Sequence, residues 1–437
     1  MPRLLVRRST TAIGIYSSVA LGFLATIVAT RELHSTQLFG DYATVIFAVG
    51  LLQGFFDVTV EEAVVKYGFR YVTREDWSKL RRLVSAAVSF KVAGGILGGI
   101  GLLVFAAFGP SRLAGALALG ALIPIVQALD GLAGAMLYLR GRYDIRSAFL
   151  VWSMALRLAG VAVGAHFGVT QAIAGVLVAQ TVGTASVVLV GLNAFRRFPR
   201  AEPVPLGDDR REIRSFFTQS TLASGVMSLR SGLGPLLLGA VSSTVQVGLF
   251  RVAQAPQSAF QALSAPVRMV LLTEQTRDWE RGNQRAVLRD VRRYSVAAFA
   301  LCVVVVPPVF VFVPTLIRWV NGSEYVGAAN AARFFLLAAA VQAVVGWTKS
   351  FPVTIGRPEL RLRTHGLETV LVLPLILVFG ALWGATGAAA AVLAGMCAFA
   401  AAWFVLLFRI EPEDGAEPAT RGEELTVEEA ETGALSL

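Results

Sequence analysis

Twelve apolar stretches, each near the length that crosses a bilayer, alternate with connections whose basic residues gather on every second one. A transmembrane helix needs about 20 apolar residues. Stretches of that order run over 12–30, 43–65, 84–108, 114–138, 147–165, 171–194, 216–240, 244–272, 295–317, 327–348, 366–383 and 387–408. The connections after the second, fourth, sixth, eighth and tenth carry most of the Arg and Lys, among them Arg74, Lys79, Arg140, Arg210, Arg285 and Lys349. Arg3, Arg7 and Arg8 precede the first stretch. The positive-inside rule puts these connections and both termini in the cytoplasm. The fold class expected is an all-α polytopic membrane protein with about 12 transmembrane helices, multi-pass in a bacterial inner (plasma) membrane.

A formal charge of +10 would point to nucleic acid in a soluble protein. Here the charges are topology determinants lying against anionic headgroups, so membrane lipids are the partners and nucleic acid is not. Cys302 and Cys397 fall inside apolar stretches and read as small core hydrophobes. His34, His166 and His365 lie near loop ends without ligand spacing, so no metal and no cofactor is expected. The first apolar run exceeds a signal-peptide core and no small-residue cleavage site follows, so it reads as a retained helix. No phosphate-binding G-x-x-x-x-G-K-[ST] occurs, which argues against ATP hydrolysis by this chain.

The longest polar connection, Arg196 to Arg214, contains Pro199, Pro203, Pro205 and Gly207 and reads as a linker. It divides the chain into an N-terminal six-helix bundle (1–200) and a C-terminal one (201–410), followed by an acidic, disordered cytoplasmic tail (411–437). The halves echo each other. Phe39-Gly40 is matched by Val247-Gly248, Asp76-Trp77 by Asp278-Trp279, and Gly141-Arg142 by Gly356-Arg357. Offsets of about 200–215 residues between six-helix halves imply a pseudo-two-fold axis along the membrane normal, with a cleft between the halves.

Ionisable side chains within apolar stretches are costly and should face the bundle interior. Gln53, Asp57 and Glu61 recur at i, i+4, i+8 on one helix face, which makes Asp57 and Glu61 candidates for ion coupling; the structural alternative is a salt bridge to an arginine of the other half. Asp130 and Arg157, at similar depth on neighbouring helices, read as a structural ion pair. In the eighth stretch Arg251, Gln254, Ser258 and Gln261 form a polar stripe. The seventh carries Ser220, Ser224, Ser228 and Ser231 with Arg230 near mid-depth. Arg230 and Arg251 lack an acidic neighbour at their depth in these two helices and are candidates for lining a cavity that receives an anion; Arg31 ends the first helix.

Several short sequences carry a resemblance. They are Arg31-Glu32-Leu33 followed by Phe39-Gly40-Asp41-Tyr42, Asp57-Val58-Thr59-Val60-Glu61-Glu62-Ala63, Val247-Gly248-Leu249-Phe250, Gly356-Arg357-Pro358 and Trp383-Gly384-Ala385-Thr386-Gly387. In order and spacing the chain resembles the polysaccharide-transporter branch of the multidrug/oligosaccharidyl-lipid/polysaccharide exporter superfamily, the flippases of lipid-linked oligosaccharides. Thr59 departs from a glycine frequent in that family. The resemblance implies two six-helix bundles in a V around a cationic cavity. It implies a substrate that is a polyprenyl-(pyro)phosphate-linked oligosaccharide, and polysaccharide-assembly enzymes as partners. Arg31, Arg230 and Arg251 would then hold phosphate oxygens, with Gln254 and Gln261 facing sugar.

Three other readings compete. A drug/cation antiporter of the same superfamily should present an acidic cavity, whereas helices seven and eight are basic. A peptidoglycan-precursor flippase usually carries two further helices. A membrane glycosyltransferase or polymerase needs acidic catalysts or a long outer loop, so the chain is not expected to be an enzyme.

Overall fold

The computed structural model describes residues 2–57, 60–260, 284–349, 351–355 and 359–409, together with Gln275 and Trp279; at some positions within these runs, Asp57 and Arg230 among them, only the backbone is described. The tail at 411–437, Gln261, Asp278 and Gly356 lie outside the described residues.

Helices account for almost all of the described chain. The first half comprises α1 (Pro2–Glu32), α2 (Thr36–Asp57), α3 (Val60–Thr73), α4 (Trp77–Phe108), α5 (Ser111–Gly120), α6 (Leu122–Gln127), α7 (Asp130–Leu139), α8 (Tyr143–Ala165) and α9 (Val169–Arg196). The second half comprises α10 (Asp209–Ser228), a π-helical turn (Leu229–Leu233), α11 (Gly234–Val241), α12 (Thr244–Ala253), α13 (Gln284–Val320), α14 (Ala329–Val344), α15 (Phe351–Thr354) and α16 (Glu359–Phe408). Among the described residues, eight spans are long and apolar enough to cross a membrane. Two other crossings come in pieces, α2 with α3 and α10 with α11, and α12 opens a segment described as far as residue 260. The last span holds two crossings, broken where Gly384 takes φ 58° and ψ −136°, a left-handed conformation that glycine adopts at little cost. The molecule is an all-α polytopic membrane protein of about twelve crossings in two six-helix bundles.

Tight turns at 33–35, 109–110, 166–168, 242–243 and 321–322 share one end of the bundle, here the tight-turn end. The basic connections share the other, the basic end. In the first half α8 packs along both α1 and α9, and α4 lies against α2, α5 and α6. In the second, α16 packs against α11 and α14. Lipid is as apolar as the core, so close packing and hydrogen bonding rather than water exclusion hold such bundles. At the basic end of the second half, Trp347 donates to Ser295 Oγ at 3.0 Å and its ring lies 5.7 Å from that of Trp403.

The internal repeat is visible atom by atom at the tight-turn end. Ser35 Oγ accepts from Gln37 N at 3.2 Å, and Ser243 Oγ accepts from Gln246 N at 3.4 Å. The two caps open α2 and α12, satisfying amide groups that a helix start leaves unpaired. Those helices then cross at their matching glycines: a Cβ on Gly40 would fall 1.9 Å from the Thr244 carbonyl oxygen, and one on Gly248 would fall 3.0 Å from Gly40 Cα.

Two minor expectations fail. Cys302 is buried but Cys397 is exposed on the bundle surface, facing outward rather than into the core. His365 is no loop-end residue: it is buried in α16, 3.2 Å from Glu368 and stacked on Phe399.

Candidate functional site

On the inner side of the Gly40–Gly248 contact lies a cavity of about 280 Å³, enclosed by α1, α2, α8, α12 and the residues that follow α12. Both halves contribute to its wall. Arg157 enters from α8 and Arg251 from α12, with Tyr42 of α2 between them and Gln254 and Ser258 beside them. Arg157 donates a hydrogen bond to the Tyr42 hydroxyl and lies near enough to Arg251 for the two cations to repel. The Arg251 guanidinium is 5.4 Å from the centre of the Phe47 ring. At a rise of about 1.5 Å per residue, Arg251 and Arg157 lie about 10–12 Å from the tight-turn end. No Asp or Glu is among the described residues that line the cavity. Two half-buried cations brought together with no carboxylate among the described lining residues make a site that favours an anion.

A second charged cluster lies within the first half. Lys91, on α4, is 1% exposed and its Nζ is 3.6 Å from Glu61 Oε1. Arg146 of α8 pairs with Asp130 of α7 at 2.8 Å. Glycines make room for both: a Cβ on Gly131 would fall 1.2 Å from Glu61 Oε1, and one on Gly134 would fall 2.6 Å from Arg146 Nε.

The two ends of the molecule are fastened differently. At the tight-turn end Arg31 donates to the Val320 and Trp319 carbonyls, Asn321 donates to Thr30 Oγ1 at 3.2 Å, and Tyr325 donates to the Thr30 carbonyl at 3.2 Å. Gln37 and Arg112 both donate to Thr244 Oγ1, and Arg112 also pairs with Asp41 at 3.2 Å. At the basic end the first turn of α10 is strapped to the first half by charges. Glu212 accepts from Arg70 at 2.8 and 3.0 Å, and Asp209 accepts from Lys79 and Tyr71, each at 3.0 Å. The bond from Lys79 holds the Asp209 carboxyl below its ordinary range, and that from Arg70 does the same for Glu212.

The structure therefore brings Arg251 and Gln254 together in the cavity. Arg31 lies outside it, exposed, bound to the end of α13. Gln261 is outside the described residues; the backbone of Arg230 lies in the π turn and that of Asp57 ends α2. Glu61 meets Lys91, a lysine of its own half. The expected Asp130–Arg157 pair is absent: the slot at Gly134 admits Arg146 to Asp130 and leaves Arg157 to the cavity. Arg157 and Tyr42 are the residues that sequence reasoning passed over. The signal for Arg157 was present, a mid-helix arginine, but it was assigned to the wrong carboxylate.

No family model and no curated protein matches the sequence. Solved structures do. Over 91% of this chain and 87% of its own, the lipid II flippase MurJ in an inward closed conformation superposes with a TM-score of 0.72 at 14% identity. An inward-facing multidrug resistance MATE family transporter of the MOP superfamily gives 0.63 at 14% identity, covering 92% of this chain and 94% of that one. A MOP superfamily transporter from Pyrococcus furiosus, described as having a binding pocket of reversed polarity, gives 0.60 at 14% identity over 92% and 95%. These likenesses define the fold: it is the fold of the MOP-superfamily transporters.

Proposed function

We propose that the protein is a flippase that moves a polyprenyl-(pyro)phosphate-linked oligosaccharide from the inner to the outer leaflet of a bacterial inner membrane by alternating access. The observation that carries this reading is the pair Arg157 and Arg251, contributed by opposite halves to a cavity with no acidic residue among its described lining residues. A phosphate head is anionic, and planar guanidinium groups grip its oxygens at two points. The sugars would lie on Gln254 and Ser258, extended on the sequence reading by Gln261 and Arg230, while the lipid tail stays in the bilayer between the halves. The basic end faces the cytoplasm in this account, and Asp57 and Glu61 are the carboxylates of the coupling step. Polysaccharide-assembly enzymes would supply the substrate and consume the product.

The MATE likeness supports a drug/cation antiporter as a second reading. A cationic drug, however, would meet two arginines and no carboxylate among the described lining residues, which weighs against it.

The test is translocation of a fluorescent lipid-linked oligosaccharide in liposomes. Arg251→Ala and Arg157→Ala should each lower the rate at least about tenfold, the loss of roughly 1.4 kcal/mol or more of phosphate binding expected for a charge-assisted hydrogen bond. Full rates in both variants, or uptake of cationic dyes in place of glycolipid, overturn the reading.

A further inference from the structure

Each arginine of the cavity rests on an aromatic side chain of α2. The Arg157 guanidinium donates to the Tyr42 hydroxyl, and the Arg251 guanidinium lies 5.4 Å from the centre of the Phe47 ring. Tyr42 lies six residues beyond Thr36, where α2 begins, so it is about 9 Å from the tight-turn end at about 1.5 Å per residue. That is close to the depth at which both arginines enter. Asp41, the carboxylate next to it in sequence, is turned instead to Arg112 at 3.2 Å. Among the described residues, the supports of the two cations are neutral.

The kind of support decides what the arginines can do. A carboxylate would hold a guanidinium firmly and cancel its charge. A phenol oxygen accepts a hydrogen bond and leaves the positive charge in place. Some hold is needed, because Arg157 and Arg251 repel each other and a long arginine side chain has rotamers that carry it away. The phenol has a fixed seat. Tyr42 is buried, its ring lies 6.2 Å from that of Phe39, and Phe39 meets the edge of Tyr325 at 5.7 Å. This aromatic row runs from the first half into the second, and its packing does not depend on the Tyr42 hydroxyl.

We infer that Tyr42 is a positioning residue, whose hydroxyl holds the Arg157 guanidinium in the cavity beside Arg251 without neutralising either cation. What Arg157 is held for, an anionic phosphate head, rests on the flippase reading. That Tyr42 holds it does not.

Two measurements on the purified full-length protein in detergent keep these apart. The first is the rate at which phenylglyoxal modifies Arg157 in phosphate-free buffer, read by peptide mass spectrometry. Tyr42→Phe keeps the ring and removes the acceptor, so Arg157 should react at least about threefold faster, while Arg333 keeps its rate. The second is equilibrium binding of inorganic pyrophosphate. Tyr42→Phe should weaken it about tenfold. With Arg157 already replaced by alanine, the same change should alter it less than about twofold, since a hydroxyl that acts only through Arg157 has nothing left to hold. If Tyr42→Phe elutes aggregated, Tyr42→Met is read in the same way. An Arg157 rate unchanged by loss of the hydroxyl overturns the inference. So does a tenfold loss of pyrophosphate binding that persists without Arg157, which would make Tyr42 a ligand of the anion itself. Wild-type protein that binds no pyrophosphate, with the faster Arg157 reaction in Tyr42→Phe, overturns the phosphate site and upholds the positioning.

Discussion

The tight-turn end and the basic end both tie the halves together, by opposite chemistry. At the tight-turn end the contacts are helix backbone against helix backbone at Gly40 and Gly248, with side chains reaching carbonyls across the divide: Arg31 to Val320, Tyr325 to Thr30. At the basic end the ties are ion pairs, Arg70–Glu212 and Lys79–Asp209, whose members are roughly one quarter to one half exposed. Bonds to uncharged backbone oxygens are little affected by ions in the medium, whereas exposed ion pairs are screened within about 10 Å at 0.1 M salt. The comparison teaches that one end is closed by shape and the other by charge. A protein fastened in this way should release its two ends under different conditions.

The largest effect should come from breaking the shape. Gly40→Val places a branched side chain where even a Cβ meets the Thr244 carbonyl, so α2 and α12 must part. Overpacking of this kind costs about 1–3 kcal/mol, and spin labels on the two halves at that end should report a longer distance. An unchanged distance and melting temperature would mean that the contact does not hold this end.

Next is Arg31→Ala, which removes donors to two carbonyls. At about 0.5–1.5 kcal/mol per bond, thermal unfolding in detergent should shift downward by the same amount at low and high salt. A shift that vanishes with salt would place this end with the other.

Smaller still is Glu212→Gln. An exposed ion pair contributes about 0–1 kcal/mol, and the effect on unfolding should shrink as salt rises.

The smallest effect, and the one that separates the two ends most cleanly, is that of pH. Asp209 and Glu212 have carboxyls held below their ordinary values of 3.8 and 4.5. Their contribution is therefore complete above those values and is lost only as pH falls through the lowered ones. A fluorophore at position 215 should be constant from neutrality down to about pH 5 and move free only as pH falls below 3.8, while labels at the tight-turn end stay in place.

Much of this architecture was legible because the bilayer restricts what a chain can do. Apolar length and loop charge alone placed the twelve crossings, and Trp383-Gly384 marked the break between the last two. Helix interruptions were not legible. The breaks within 120–130 and at 229–233 carry too few polar residues to end an apolar stretch, so a hydropathy window passes over them. Among the site residues, Arg251 and Gln254 could be read from a stripe on one helix. The partners of Asp130 and Arg157 could not, because depth along a helix says nothing about which neighbour has a gap opposite. Gly131 and Gly134, three apart on one face of α7, were the available clue: they open slots for Glu61 and Arg146.

The meeting of Gly40 with Gly248 has one more consequence. Equivalent residues of two repeats touch only on the axis that relates them, so this pair marks a fulcrum. Bare backbone at a pivot offers no interlocking rotamers to resist rotation. With arms of about 30 Å, the length of a twenty-residue helix, a tilt of about 10° there swings the far ends apart by about 5 Å, with the glycines as the bearing.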